Sequence, residues 1–417
     1  MQTVYKIDSE RMYERIMTLA DIGKTVQDGV KRVALSKEDK EAQILVTKWM
    51  EQAGMTVSHD HFGNLIGRKE GISSSSSLPS IVIGSHIDSV RNGGRFDGII
   101  GVIAGIEIVQ VIHDAELSHE HPLEVVAFCE EEGSRFNDGL FGSRGMVGRI
   151  DQSHLKLKDE NGVTRYEALQ SFGFDIDPDR IAESVRTAKD IKLYLEMHIE
   201  QGPYLDSNDY PVGIVKGIAG PSWYNIKLEG EAGHAGTVPM SLRKDPVAGA
   251  AEIISEVERL CTQDPNAETV GTVGRVKVLP GGSNVIPSSV EFSLDLRDID
   301  LTRRNRIYQQ ILDKIQNVSF SRNLSFNVEK YMAIDPVYCS DEIIQLFNEI
   351  SEEKEMNAPI MISGAGHDAM LLAEITDVGM IFVRCAKGIS HQPNEHAEKA
   401  DIALGTELLL EAVLRSM

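Results

Sequence analysis

Five short stretches of this sequence carry side chains able to bind a cation or move a proton. His86-Ile87-Asp88 follows the apolar run Ile81-Val82-Ile83. Residues two apart on an extended chain point to one side. Asp88 is therefore placed to orient the His86 imidazole, as carboxylates do for ligand histidines; a chance H-x-D at a strand end is the plain alternative. Asp97 lies in GGRFDGIIG at the start of an apolar helix. A helix N-terminus favours a carboxylate, so simple capping would also explain it. Glu130-Glu131-Glu132 follows the strand-like LEVVAFC. Three adjacent carboxylates tolerate burial only beside a cation or with raised pKa values; a solvated acidic turn is the alternative. His198 in LYLEMHIEQGP and His391 in KGISHQPNE complete the set, and either histidine alone would more often be structural.

Together these residues form a mixed imidazole and carboxylate set. Such donors suit zinc, manganese or cobalt without any cysteine. Asp97 could bridge two ions. Two ions about 3.5 Å apart can share a water and lower its pKa, and a neighbouring carboxylate outside the ligand set can take its proton.

The elements that must position them read as α/β. Residues 1 to about 70 give helices and then a short strand in HFGNLIGRKEG; residues 71–79 contain five consecutive serines and read as a flexible loop. SIVIGSHIDSV, the helix GIIGVIAGIEIVQVIHDAEL and the strand LEVVAFC alternate as in a sheet covered on both faces. From about residue 213, WYNIKLEGEAG, TVGRVKVLPGG and SVEFSLDLRDID alternate like antiparallel strands, with helices at DPVAGAAEIISEVERL and LTRRNRIYQQILDKI. The α/β texture returns with APIMISGAGHDAM, VGMIFVR and a last helix. The expected architecture is a two-domain α/β protein with a central mixed sheet flanked by helices. Residues 1–212 and 330–417 form a discontinuous catalytic domain, and residues 213–329 form an inserted α+β domain of antiparallel sheet plus two helices.

Composition excludes several classes. A chain of 417 residues exceeds one ordinary core. Its net charge of -22 repels phosphate backbones and anionic lipid, so neither nucleic acid nor membrane is an expected partner. The four cysteines form no C-x-x-C pair, which fits a reducing compartment. The first residues are polar and helix-like, without an apolar signal core. The most apolar run, Ile99 to Ile112, is broken by Glu107 and Gln110. A soluble cytoplasmic protein is expected. GLFGSRGMVG spaces its glycines every third residue and is not a dinucleotide fingerprint. No G-x-S-x-G elbow is present.

GSHIDSV, GGRFDG, EEEGSRF, HIEQGP, HAGTVPM, GGSNVIP, LDLRD, SGAGHDAM and GISHQP occur in that order. The series resembles the M20-type metallo-amidase and peptidase family over nearly the whole chain. HIEQGP, HAGTVPM and SGAGHDA resemble its carbamoylase branch of N-carbamoyl-L-amino acid hydrolases, allantoate amidohydrolases and ureidopropionases; GIAGPSW and MSLRKDP are nearest the first of these.

The resemblance implies two divalent ions per subunit: Zn, Mn, Co or Ni. His86 and His198 would hold one, Glu132 and His391 the other, and Asp97 both. It implies Glu131 as general base and Asp88 as orienter, with Glu130 structural. It implies Gln201 near the ureido group, His234 as an oxyanion donor supplied by the partner of a homodimer, and Asn284 and Arg297 on the substrate carboxylate. Gly364 and Ala365 would lie in a turn close to the substrate, and the inserted domain would act as lid and dimerisation domain. By residue type alone, Arg297 between Asp295 and Asp298 reads equally as a strand-face ion pair. His367 and Asp368 are expected to pack or support rather than ligate.

The implied reaction is hydrolysis of the ureido C–N bond of an N-carbamoyl-L-amino acid, giving amino acid, ammonia and CO2. Hydrolysis of allantoate or 3-ureidopropionate, peptide or acyl-amino-acid cleavage, and non-catalytic binding of a small molecule are the alternatives. Residues 217–224, mostly apolar apart from Ser222, favour an amino acid side chain over the second ureido group of allantoate.

Overall fold

The computed structural model describes residues 5–72 and 78–417; the serine run lies outside them. The chain folds as two compact units. The first is Met1–Lys216, Cys339–Met361 and Ala365–Met417; the second is Gly217–Tyr338 with Ile362–Gly364.

Four parallel strands form the centre of the first unit, in the order Leu123–Phe128, Ser80–His86, Ile191–Ile199 and Asp377–Val383. Antiparallel strands flank them: Leu65–Lys69 on one side and Val212–Ile218 on the other. Ser80–His86 and Leu123–Phe128 are buried at every position. Continuous apolar runs such as Ile81-Val82-Ile83 suit parallel strands covered on both faces. The helix Ile99–Asp114 is buried from Ile99 to Ile112. Its one acidic break, Glu107, is wholly buried and held by Arg11 Nη2 at 2.7 Å and by the Asp8 amide. Pairing is what makes a buried carboxylate tolerable inside so apolar a helix.

Connectivity then places the chemistry. From Ser80–His86 the chain crosses to Leu123–Phe128 on one side; the next central strand, Ile191–Ile199, lies on the other side. The order reverses between the strands carrying His86 and His198. In open α/β sheets, such a reversal opens a crevice at the strand carboxyl ends.

The second unit has two layers. Val276–Leu279, Ser289–Asp298, Gly220–Glu229 and Ser325–Ala333 pair antiparallel in that order, and Val270–Thr272 also pairs with Ser289–Asp298. Burial alternates along Ser289–Asp298. The inward set, including Ile226, Leu228, Phe292, Leu294 and Leu296, packs with Ile253, Ile311 and Ile315 of two helices, Pro246–Cys261 and Leu301–Arg322. Asp245 and Asp300 cap these helices through the amides of Val247 and Arg303, and Pro246 takes the first helical position, where no amide hydrogen is needed. Ser325–Ala333 runs across residue 330, the sequence-derived start of the returning segment, and stays with the second unit through Tyr338. Its side chains are mostly exposed, so no strict apolar alternation marks it in the sequence. Among the described residues, no helix is long and apolar enough to cross a membrane.

Candidate metal centre

His86 ends its strand, and His198 is the next-to-last residue of the neighbouring strand. Their ring centroids lie 5.8 Å apart across the crevice. Each Nδ1–H donates to a backbone carbonyl, His86 to Asp88 at 3.1 Å and His198 to Ile199 at 3.0 Å. Such bonds fix the rings and turn Nε2 toward the cluster.

Asp97 sits just before the long apolar helix but does not cap it. Gly98 is the capping residue, and no side-chain bond closes that end. The Asp97 oxygens instead lie 3.1 Å from His198 Nε2 and 3.0 Å from His391 Nε2. Gly98 has φ +70°, and a Cβ there would run into the His86 ring. Glycine thus lets the helix begin directly against the histidine.

The three glutamates separate by environment. Glu130 adopts φ +56°, and its fully buried carboxylate accepts from Arg165 Nε at 3.1 Å and from the Phe136 amide at 3.0 Å. Arg165 lies over the rings of Phe136 and Phe141. That anchor sets the turn from which Glu131 and Glu132 face the crevice. Glu131 Oε2 is 3.6 Å from His86 Nε2, and Glu132 Oε2 is 3.6 Å from His391 Nε2. The Asp88 carboxylate accepts the amides of Glu131 and Glu132 at 3.2 and 3.3 Å and stands 3.6 Å from His86 Nδ1. The nearer contact of His86 is thus the Asp88 carbonyl, while the Asp88 carboxylate ties the acidic turn to the His86 strand.

Two overlapping groups result. His86, Asp97 and His198 each offer a donor atom within 4.8 Å of the others, and so do Asp97, Glu132 and His391. Asp97 belongs to both. The electrostatics call for positive charge. Burial, then Asp97, pushes Glu132 up to about 8. Burial and Glu132 hold Glu131 well above the usual carboxylate range. Burial opposes charge on His198, yet its bond to Asp97 carries it up to about 9; His391 rises to about 9 chiefly through its own bond to Asp97. Burial lowers His86 to about 4, so it stays a neutral donor, while the raised carboxyls and the two histidines paired with Asp97 form a set that positive charge would balance. The donor types and their convergence fit divalent ions.

Gln201 Nε2 reaches both Asp97 oxygens at 3.1 Å and lies 3.2 Å from His391 Nε2. His367 packs edge-on against His198 at 4.5 Å and stands outside both groups. Asp368, beside it, is wholly buried and also outside them. One buried residue here was not singled out from sequence: Glu395, which accepts the backbone amides of Phe96, Asp97 and His391. KGISHQPNE contains it, but a loop glutamate does not reveal which distant backbone it binds.

The remaining candidates belong to the second unit, except Ala365. His234 and Val285, the residue after Asn284, are register partners in a short antiparallel ladder, and the Asn284 carbonyl accepts the Ala235 amide. His234 Nδ1 accepts from the Gly236 amide at 3.0 Å, which leaves Nε2 as the protonated nitrogen of the neutral ring. Arg297 donates from Nε and Nη2 to Asp295, at 3.0 and 2.8 Å, and from Nη1 to the Gly364 carbonyl at 2.7 Å. The strand-face ion pair is therefore present, with Asp295 as its acid. Asp298 pairs with Arg303 instead.

Residues 82–415 match the profile of peptidase family M20/M25/M40. The sequence is 63% identical over 415 residues to the N-carbamoyl-L-amino-acid amidohydrolase of Pseudomonas sp. (strain NS671), spanning 100% of both chains. It is 42% identical to the N-carbamoyl-L-amino acid amidohydrolase of Geobacillus stearothermophilus, across 98% of each. Among solved structures, an amidase of the hydantoinase/carbamoylase family from Burkholderia multivorans superposes with a TM-score of 0.93 at 34% identity, covering 99% of this chain and 98% of the other.

Proposed function

The chain belongs to peptidase family M20/M25/M40, and from that premise we propose that it hydrolyses the ureido C–N bond of N-carbamoyl-L-amino acids to the L-amino acid, ammonia and CO2. The observation that carries this reading is the convergence of three imidazoles and the Glu132 carboxylate on the shared residue Asp97, in a chain alike end to end to an amidohydrolase of that name.

His86, Asp97 and His198 would hold one divalent ion, and Asp97, Glu132 and His391 a second. Bound there, such a pair supplies Lewis acidity to a carbonyl and lowers the pKa of water. Glu131 lies at the rim of the first group and is outside both ligand sets. It takes the proton of the attacking water and returns it to the leaving amine. Asp88 keeps Glu131 in place through the amides of the acidic turn.

His234, supplied by the second copy of a homodimer, donates from Nε2 to the oxyanion that forms at the attacked carbon. Its exposure and its fixed tautomer suit that task. Arg297 and Asn284 hold the substrate carboxylate. Arg297 is already oriented by Asp295 and Gly364, and the rest of its planar fork is left for a bidentate partner. Gln201 addresses the ureido group, and the turn at Gly364 and Ala365 lies close to it. Four free cysteines, three of them buried, fit a cytoplasmic setting.

The test is a panel of N-carbamoyl-L-amino acids, allantoate and 3-ureidopropionate, offered to chelator-stripped protein reconstituted with Zn, Mn, Co or Ni. N-carbamoyl-L-amino acids should give the highest kcat/KM, and the stripped protein should be inactive. A higher kcat/KM on allantoate, or full activity without added metal, would overturn the reading.

A further inference from the structure

Glu395 is 1% exposed and makes bonds to two stretches of chain, its own loop and the remote segment at Asp97. Its Oε1 accepts the amides of Phe96 at 2.8 Å and Asp97 at 3.1 Å. Its Oε2 accepts the amide of His391 at 3.3 Å and the hydroxyl of Ser390 at 3.0 Å. Ser390 Oγ also lies 3.2 Å from Asp97 Oδ2, so its single proton sits between the two carboxylates. One side chain thus clamps the backbone of the shared carboxylate and the backbone of the histidine opposite it.

Two further features point to a built clamp. At Gly94 a Cβ would fall on the Glu395 carboxyl group, so the loop makes room for that side chain. His391 stands at φ +58°, a conformation L-residues seldom hold without support, and its amide is one of the four donors Glu395 accepts. The His86 and His198 rings are held separately, by carbonyls of their own strand ends. The histidines of the first group therefore have supports of their own, whereas His391 shares Glu395 with the common residue Asp97.

We infer that Glu395 is a positioning residue that sets the spacing of Asp97 and His391 and so governs the affinity of the Asp97–Glu132–His391 ion far more than that of the His86–Asp97–His198 ion. This rests on the two-ion reading above. Glu395 touches neither substrate nor ion; it acts through the main chain of two ligands. Glu395→Gln preserves its volume but exchanges an acceptor oxygen for an NH2. Whichever way the amide turns, either the Asp97 side or the His391 side loses its acceptor and meets a donor instead.

The measurement is calorimetric titration of chelator-stripped full-length protein with Co(II), read together with the visible Co(II) spectrum. The wild type should take up two ions per chain. Glu395→Gln should keep the first within about threefold and weaken the second at least about tenfold, in line with what loss of a ligand's supporting partner costs. Excess Co(II) should restore the spectrum of the second ion. Gly94→Ala, which displaces the carboxyl without removing it, should repeat the pattern and covers the case in which Glu395→Gln fails to fold. Two wild-type affinities in both variants would overturn the inference. So would equal weakening of both ions with a lowered Tm, which marks general structural damage. A wild type that binds fewer than two ions would overturn the two-ion reading itself and this inference with it.

Discussion

The two units handle polar chemistry in opposite ways. In the first, the central strands are almost wholly buried, charged groups within them such as Glu124 and Glu196 are tied into hydrogen bonds, and the site cluster gathers where those strands stop: His86, Glu131, Glu132 and His198. In the second, one face of an antiparallel sheet is open, so Asp295 and Arg297 stand on the face of a strand whose alternate residues fill the core. A site at the ends of buried strands is enclosed on its inner side, with His391 as its exposed member, and dominated by charge. A site on an open face is partly solvated, and its side chains have alternative partners. Substitutions in the strand-end cluster of the first unit should therefore act on kcat and ion binding, and those at Asp295 and Arg297 of the second on KM.

The largest effect is expected of Glu131→Gln. With its proton transfer gone, kcat should fall at least about a hundredfold while the metal content, measured by elemental analysis, stays at the wild-type value. An unimpaired kcat would remove Glu131 from the chemistry. Arg297→Ala is the counterpart in the second unit. Loss of a charged fork to a carboxylate is worth about 1.5–3 kcal/mol, so KM should rise on the order of tenfold to a hundredfold with kcat changed much less. A matching fall in kcat at constant KM would contradict the division between the units. The smallest effect is expected of Asp295→Asn, which removes charge from the partner of Arg297 at a partly exposed pair. KM should move by less than about threefold, since pairs of this exposure contribute at most about 1 kcal/mol. A change as large as that of Arg297→Ala would mean that Asp295 is what holds the guanidinium in place.

Much of the fold can be read from the order of residues. Ile81-Val82-Ile83 and LEVVAFC announce doubly covered strands because no alternation is present to mark a wet face. WYNIKLEG and SVEFSLDLRD announce a half-exposed sheet for the converse reason. Ser325–Ala333 escapes this logic because most of its side chains are exposed, and its membership in the second unit comes from backbone pairing with Gly220–Glu229.

At the site the division is sharper. Residue types and their places after apolar runs determine that imidazoles and carboxylates collect at strand ends, because inside a buried parallel strand a charged group needs a partner of its own, as Glu124 has in Arg68. They cannot decide between Asp97 as cap and Asp97 as a carboxylate shared by two histidines. That depends on His391, 294 residues away in the chain but 3.0 Å away in space. Nor can they tell which of three adjacent glutamates turns away. Arg165 decides it by taking Glu130 into a buried pair. The contribution of Glu395 is half tertiary: its bond to the His391 amide is local, but its carboxylate reaches the amides of Phe96 and Asp97 only because the fold brings that loop beside it. The sequence by itself determined the kinds of donor and the sheet that lines them up. Only the tertiary structure decided which donors face one another, because hydrogen bonds and charge act over a few ångströms of space, without regard to distance along the chain.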